Sequence, residues 1–455
     1  MKTLIRGGTL VWESGEQTAD LLLENGRIAA VGEWLDAPDA EVVDAAGKLV
    51  LPGLIDAHTH MDLPVAGTVT ADDFATGTRA AILGGTTCLV DFATQDFGET
   101  LAEGLSHWQA KAAGRSSCDY AFHLAISEWR PDVRDELAET VRNGVTSFKL
   151  YMTYANQVTD REIFEVLSAL KPLGGIVGVH CENSGLIDAC TASVKARGVT
   201  GPEGHPLSRP DEAEAEAIHR LLAIARLADV PVVVVHLSTR KGLEEIRRAR
   251  AAGQKVYVET CPQYLLLEEG RYALPDFEGA RYVCSPPLRT GADRAALWQA
   301  LAAGEIDTVS TDHCSFTLAQ KDAGRGDFTK IPGGMPGVEE RVRLLYTYGV
   351  CAGRLTMPQL VRHLAANPAR LYGLYPRKGV LAPGSDADVV LWDPDAEDVI
   401  SARTHHSAAD YEPYEGVAVR GRAETVFLRG TRVVDRGELI APNTGIYLTR
   451  GRCSL

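Results

Sequence analysis

Apolar and polar positions follow two different patterns along the chain, one at both ends and another in the middle. Residues 1–52 alternate in short runs such as TLIRGGTLV and DLLLENGRIAAVG, separated by glycines and by an Asn-Gly pair at Asn25 and Gly26. A similar pattern of short alternating runs is present near the C-terminus, in DADVVLWDP and AETVFLRGTRVVDRGEL. Short alternating runs with such turns predict antiparallel strands. We therefore expect both ends of the chain to build one small β-sandwich domain.

In the middle of the chain, strand-like apolar runs alternate with amphipathic segments. Segments such as DREIFEVLSALKPLG and EAEAIHRLLAIARLADV have apolar residues at helical spacing. Eight runs are of strand type: LIDAHTH, TTCLVDFA, DYAFHLAI, VTSFKLYM, GGIVGVHCE, PVVVVHLS, KVYVETCP and DTVSTDHCS. This alternation predicts an α/β fold with a TIM-like (β/α)8 barrel, and a doubly wound open sheet is the alternative. We expect the barrel at residues 53–370, with residues 1–52 and 371–455 forming the two parts of the small β domain and a tail.

Side chains with metal-ligand chemistry stand at or near the ends of five of these strand-like runs. They are His58, His60, Lys149, His180, His236 and Asp312. Active sites of parallel barrels collect at the carboxyl ends of the strands. Taken singly, each of these residues could be a hydrogen-bonded core group or a solvent-facing strand end. Taken together, four imidazoles and a carboxylate predict a site for Zn²⁺, or for a similar ion such as Mn²⁺ or Co²⁺.

The remaining histidines differ from this set, because none of them ends an apolar run with its side chain on the same face. His123 lies among apolar neighbours within DYAFHLAI, so we expect a core residue. His313 follows Asp312 and would point to the opposite face of the strand, which favours a role behind the ligands. The others lie in helical or loop-like sequence: His107, His219, His363, His205, His405 and His406.

Composition excludes several classes of protein. The 455 residues are 45% hydrophobic, which supplies a large core and excludes a disordered or fibrous chain. The net charge of -15 provides no broad basic surface, which argues against nucleic acid as a partner. We find no leader-like N-terminus and no apolar stretch long enough to span a bilayer, so we expect a cytoplasmic protein with no membrane partner. The nine cysteines form no C-x-x-C pair, which argues against a disulfide framework.

A series of sequence blocks runs nearly from end to end of the chain. The blocks are GLIDAHTHMDLP, GTVTADDFATGTRAAILGGTTCLVDF, SFKLYMTY, VHCEN, VVHLST, ETCPQYL, CSPPLR, STDHCSF and GGMPGVEER. Through them the chain resembles the dihydropyrimidinase and D-hydantoinase group of cyclic amidohydrolases, within the amidohydrolase superfamily. The resemblance implies hydrolytic opening of a hydantoin or dihydropyrimidine ring to an N-carbamoyl amino acid, and a homotetramer.

The resemblance also implies roles for the strand-end residues. It implies two divalent metal ions, one held by His58, His60 and Asp312 and the other by His180 and His236. A hydroxide and a carbamylated Lys149 would bridge the two ions, because a lysine ammonium is a poor ligand and is unfavourable to bury unpaired. By the same resemblance Asp312 is the general base, Tyr154 donates a hydrogen bond to the substrate carbonyl, and the backbone of Ser285 binds the ring imide.

Two departures bear on the substrate. The family pattern usually has Asn at the position of Gly333, so a glycine there would enlarge the pocket and loosen its loop. Dihydroorotases place an arginine shortly after the H-x-H pair, where this chain has Met61, Asp62 and Leu63. We therefore expect an uncharged ring, with Leu63 and the aromatic residues Tyr151 and Phe97 near an apolar substituent.

Other functions stay open at this stage. An allantoinase or another ring amidohydrolase is the first alternative. A non-catalytic dihydropyrimidinase-like binding protein is less favoured, because such relatives lose metal ligands that are intact here. Ring deaminases of the superfamily usually use one metal and need no lysine bridge, so Lys149 argues against them.

Overall fold

The computed structural model describes residues 2–455, and its centre is a nearly closed barrel of eight parallel strands. The strands are Leu54–Thr59, Thr86–Thr94, Asp119–Ala125, Ser147–Tyr151, Ile176–His180, Val232–Val234, Val256–Thr260 and Thr308–Val309. Each strand pairs with the next one along the chain. The first and last strands approach each other where the backbone N–H of His60 donates to the carbonyl of His313 over 2.8 Å. The predicted barrel and its eight strands are confirmed.

The barrel strands are apolar along their length because both of their faces are covered. Every residue of Leu54–Thr59 and of Asp119–Ala125 is buried, as expected for parallel strands between a packed interior and outer helices. The longer outer helices are Phe74–Leu83, Leu101–Ala112, Pro131–Arg142, Asp160–Leu170, Ser184–Ala196, Asp211–Ala228, Arg240–Ala251 and Gly291–Ala302. Two of them, Asp160–Leu170 and Asp211–Ala228, confirm the helices predicted from spacing.

Shorter helical pieces complete the loops and the C-terminal side of the barrel. The short α-helices are Gly204–Ser208, Pro262–Leu266, Leu318–Asp322, Arg341–Leu345, Met357–Val361 and Asn367–Leu371. The 3₁₀-helices are Glu269–Ala273, Pro275–Tyr282 and Phe328–Lys330, and π-helical turns occur at Tyr346–Cys351 and Arg362–Ala366. Among residues 2–455, no helix has both the length and the apolar character needed to cross a membrane.

Both ends of the chain form one mixed sheet of nine strands, as expected for the small β domain. The N-terminal part supplies Lys2–Trp12, Gly15–Glu24, Arg27–Gly32, Glu41–Asp44 and Leu49–Pro52. The C-terminal part supplies Val389–Val399, Ala418–Leu428, Thr431–Asp435 and Glu438–Leu439. The two parts meet where Leu49–Pro52 pairs antiparallel with Val389–Val399. A separate small hairpin, Pro64–Val65 with Thr68–Val69, follows the first barrel strand.

A buried cluster of charged side chains connects this sheet to the barrel. The ammonium of Lys378 lies 2.6 Å from Asp119, which begins a barrel strand, and 2.5 Å from Asp388, which precedes the first C-terminal strand of the sheet. Asp386 lies 3.0 Å from the same ammonium, and Arg429 also pairs with Asp119. Because these carboxylates already have cationic partners, the cluster is a structural junction between the two parts of the fold.

The last residues of the chain cover the end of the barrel opposite the strand carboxyl ends. The N–H of Tyr120 donates to the carbonyl of Ile446, and the N–H of Leu448 donates to the carbonyl of Tyr120. The buried guanidinium of Arg450 donates to the hydroxyl of Ser147 over 2.7 Å. The tail therefore closes the bottom of the barrel and leaves the other end as the side from which a ligand can enter.

Candidate active site

Three of the predicted ligands meet where the barrel closes. One carboxylate oxygen of Asp312 lies 3.2 Å from Nε2 of His58 and 3.1 Å from Nε2 of His60. Donor atoms of these three residues all lie within 4.8 Å of one another. The two histidines come from the end of the first strand and Asp312 from the loop after the last one, so closure of the barrel creates the cluster.

The other two histidines form a second group beside the first. Nδ1 of His180 lies 3.0 Å from Nε2 of His236, and the rings of His58 and His236 are 5.3 Å apart between centroids. Nδ1 of His236 is buried and has no hydrogen-bond partner within residues 2–455. Two imidazole nitrogens that face each other at this distance can act as ligands of one cation.

Lys149 is buried close enough to both groups for its charge to act on them. Its side chain is 1% exposed, and its Nζ is 5.2 Å from the centroids of the Phe92 and Tyr151 rings. Burial lowers the pKa of Lys149 to about 8, although Asp312 and Glu259 act to raise it. Besides burial, the positive charge of Lys149 acts to lower the pKa of all four site histidines. The structure thus brings together all six predicted ligand residues.

Two buried carboxylates that the sequence reasoning missed hold the histidine rings. Oε1 of Glu259 lies 2.6 Å from Nδ1 of His58, and Oε2 of Glu182 lies 2.7 Å from Nε2 of His180. Such contacts fix the tautomer and orientation of an imidazole, so that its other nitrogen faces the site. In the sequence, the one sign of a special role for Glu259 is that it is a charged residue within the apolar run VYVET.

Arg209 forms a buried salt bridge with Glu182. The guanidinium donates to Oε2 of Glu182 over 2.5 Å. Burial is the largest influence and acts to raise the pKa of Glu182, but the charge of Arg209, the contact with His180 and the charge of Arg289 together outweigh it and lower that pKa to about 2. Glu182 is therefore an anion at neutral pH and can polarise the His180 ring.

The residues expected to bind substrate have the following surroundings. The Tyr154 ring lies 5.0 Å from the His180 ring and is 40% exposed. Ser285 and Gly333 are neighbours, since a Cβ added to Gly333 would lie 3.4 Å from the Ser285 hydroxyl. Leu63 is half-buried against the main core and starts the small hairpin. Phe97, expected beside the ring substituent, is an exposed residue.

Three of the site residues adopt a left-handed backbone conformation. The φ angles are 76° for Tyr154, 39° for His236 and 52° for Asp312. Non-glycine residues seldom adopt positive φ, and such conformations persist where the surrounding structure enforces them, often at functional sites. The fold thus fixes these three side chains at the expense of local backbone strain.

His123 and His313, the two histidines that the sequence analysis separates from the proposed ligands, lie in the predicted surroundings. His123 is a buried core residue whose ring nitrogens contact the Ser147 hydroxyl and the Ala57 carbonyl. His313 turns away from the ligands, and its Nε2 lies 3.1 Å from the buried carboxylate of Asp72. The structure therefore separates these two rings from the four that meet in the site.

Comparison with known proteins gives the family of this chain. The model of the amidohydrolase family matches residues 49–433. The D-hydantoinases of Streptomyces coelicolor and Geobacillus stearothermophilus are each 46% identical to it, over 99% of this chain and 98% and 97% of those proteins. The crystal structure of dihydropyrimidinase from Brevibacillus agri matches with a TM-score of 0.98 and 44% identity over the whole of both chains. The chain belongs to the amidohydrolase family.

More distant structures show how far the fold extends. The L-hydantoinase (dihydropyrimidinase) from Arthrobacter aurescens matches with a TM-score of 0.91 at 29% identity, over 98% of this chain and 99% of that one.

The amidohydrolase family generally uses a binuclear metal site, and residues 2–455 supply a candidate group of ligands in His58, His60 and Asp312.

Replacing Glu259 with Gln should weaken metal binding without unfolding the protein. The amide keeps the size of the side chain but removes the negative charge that holds the His58 ring, and loss of such a contact typically lowers metal affinity about 10- to 100-fold. Chelator competition with Zn²⁺ measures this. Glu269→Gln, an exposed position with the same change of charge, is the control. Equal affinity in Glu259→Gln and wild type would contradict the assigned role.

Proposed function

We propose that this protein hydrolyses the amide bond of a hydantoin or dihydropyrimidine ring and releases an N-carbamoyl amino acid. The observation that carries the proposal is the convergence of four histidines, Asp312 and Lys149 at the open end of the barrel. The chain's relatives named D-hydantoinase and D-phenylhydantoinase are 43% to 46% identical to it over nearly its full length. Hydrolytic opening of a cyclic amide is the function that fold, relatives and site have in common.

The buried donor set fits two divalent metal ions, with zinc favoured and manganese or cobalt as alternatives. In this proposal His58, His60 and Asp312 hold one ion, while His180 and His236 hold the other. The fit rests on the close approach of Nδ1 of His180 and Nε2 of His236, since Glu182 already contacts the other nitrogen of His180. Imidazole and carboxylate are ligands that suit these ions.

A carbamylated Lys149 completes the proposed ligand set. An ammonium among metal cations would be repelled, whereas the carbamate formed from the neutral amine and carbon dioxide is an anion with two oxygens able to bridge. This role is supported by the charge of Lys149, which acts on histidines of both groups. The family resemblance, rather than a feature of the side chain itself, supplies the identity of the modification.

Two bound divalent ions would lower the pKa of a water molecule and polarise the scissile carbonyl. The residues of the chain would then move the protons. Asp312 would accept a proton from the attacking water and deliver it to the ring nitrogen as the carbon–nitrogen bond breaks. Tyr154, whose phenol is protonated at neutral pH, would donate a hydrogen bond to the carbonyl oxygen as negative charge develops there. The backbone of Ser285 and the adjacent Gly333 would hold the ring imide.

The entrance of the site favours a neutral ring. The segment HTHMDLP contains no arginine or lysine, and the guanidinium nearest to Tyr154, that of Arg209, is already paired with Glu182. A ring that carries a carboxylate would be buried without a cationic partner, which costs several kcal/mol. In this proposal the partly buried Leu63 would provide an apolar contact instead.

The homotetramer and the cytoplasmic location also stay proposals, supported by the resemblance and by the sequence. Neither is needed for the chemistry above, because all of the proposed ligands come from one chain.

Lys149→Ala should lose ring-opening activity together with bound metal, because the bridging anion is gone. Short carboxylic acids should restore part of the activity by filling the bridging position. Lys149→Arg keeps a positive charge but cannot form the carbamate, so it should be as inactive as the alanine variant. Lys171→Ala, at a half-exposed lysine on the outer surface, is the control. A fully active Lys149→Arg variant would rule out the carbamate.

Substrate preference tests the proposed function directly. We expect kcat/KM for 5-phenylhydantoin or dihydrouracil to exceed that for dihydroorotate by about 100-fold or more, which corresponds to an unpaired buried charge worth about 3 kcal/mol. Allantoin should also be a poor substrate. Purified Asp312→Asn protein is the control for contaminating hydrolases, since it lacks the proposed base. Equal turnover of dihydroorotate or allantoin would contradict the assigned substrate class.

A further inference from the structure

We propose that Lys321 is a positioning residue that sets the spacing of the two loops carrying Ser285 and Gly333. Through that spacing it would determine which ring substituent the site accepts. The inference rests on the proposed function, because those two loops bind substrate only if the protein opens a cyclic amide. Lys321 contacts neither the proposed metal ligands nor Tyr154, so its effect would be transmitted through the loops.

The ammonium of Lys321 connects the two loops directly. Its Nζ donates to the carbonyl of Val283 over 2.9 Å, and to those of Pro332 and Gly334 over 2.7 Å each. Val283 precedes Ser285 by two residues, and the other two carbonyls flank Gly333. An ammonium has three donors, and here each of them has a backbone acceptor.

This arrangement is specific to a lysine. The side chain is 1% exposed, and burial acts to lower the pKa of Lys321, while the three carbonyl acceptors favour its charged form. Backbone carbonyls, with the Phe316 ring 5.4 Å away, surround the charge. An apolar side chain would fill the same space without any desolvation of charge, but it would leave the carbonyls of Pro332 and Gly334 without this donor. The lysine therefore contributes a defined geometry rather than packing alone.

The helix that carries Lys321 also reaches the third loop of the entrance. In the same helix, Leu318–Asp322, the amide of Gln320 donates to the Thr68 hydroxyl and to the Val69 carbonyl, each over 2.7 Å. Those residues belong to the hairpin that follows Leu63. Since the helix begins shortly after Asp312 in the chain, one short segment links the proposed base to all three loops around the entrance.

The gap between the two loops is small enough for their spacing to matter. A single added carbon at Gly333 would already approach the Ser285 hydroxyl to 3.4 Å. A direct hydrogen bond from the Gly334 N–H to the Val283 carbonyl, 2.9 Å long, is the other link between the loops. Without the ammonium this single link remains, so the loops should separate more readily and hold the ring less well.

The experiment compares wild type with Lys321→Met, which keeps the length of the side chain and removes its donors. Lys330→Met, an exposed lysine in the following loop, is the matched control for the change in charge. Steady-state kinetics are measured with 5-phenylhydantoin and unsubstituted hydantoin, alongside metal content. We expect unchanged metal content, a KM for 5-phenylhydantoin raised about tenfold or more, and a smaller preference for the substituted ring. The control should match wild type in all of these.

A purely structural role gives a different result. Lys321→Met would then lower the melting temperature or the active fraction, while KM and the ratio of kcat/KM for the two rings stay those of wild type, and that result would overturn the inference. If Lys321→Met does not fold, Lys321→Gln, with a shorter side chain and a polar end, decides between the same two outcomes.

Hydrogen exchange separates failure of this inference from failure of the proposed function. If wild type opens neither ring, the proposed function is wrong, but the amide of Gly334 still reports on the link between the loops. Faster exchange at that amide in the Lys321 variant than in Lys330→Met would support the positioning role. Equal exchange in the two variants would contradict it.

Discussion

The hydrogen bond from the backbone of His60 to the carbonyl of His313 is the contact on which the arrangement of the site depends. It joins the first barrel strand to the segment after the last one, 2.8 Å from donor to acceptor. The same contact brings Asp312, one residue away in the chain, to within 3.2 Å of both His58 and His60. In an open sheet these residues would lie at opposite edges. Closure of the barrel is therefore what turns separate strand ends into one group of ligands.

The second constraint is that the histidine rings are buried, and buried carboxylates hold two of these rings in position. Glu259 holds His58, and Glu182 holds His180, so that in each case one ring nitrogen is fixed and the other faces the site. Arg209, His180 and Arg289 together keep Glu182 ionised against the effect of burial. Because these contacts hold the rings, the histidines need little reorganisation to bind a cation.

The barrel and its six strand-end residues could be predicted because each leaves a local signal, an apolar run that ends in a polar residue. The supporting residues leave no such signal. Glu259 lies inside its strand and is 201 residues from its partner His58, while Lys321 reads as an ordinary polar residue of a short helix. What defines both is a set of buried partners outside their own secondary-structure element, and only the folded chain shows these contacts. The same holds for the tail beneath the barrel, whose sequence gave no sign of its position.

The central claim is that His58, His60, Lys149, His180, His236 and Asp312 form one binuclear metal site. Elemental analysis of active protein purified without chelator tests it most directly. We expect about two divalent transition-metal ions per chain, lost together with activity when a chelator removes them. Fully active protein that contains no stoichiometric metal would contradict it.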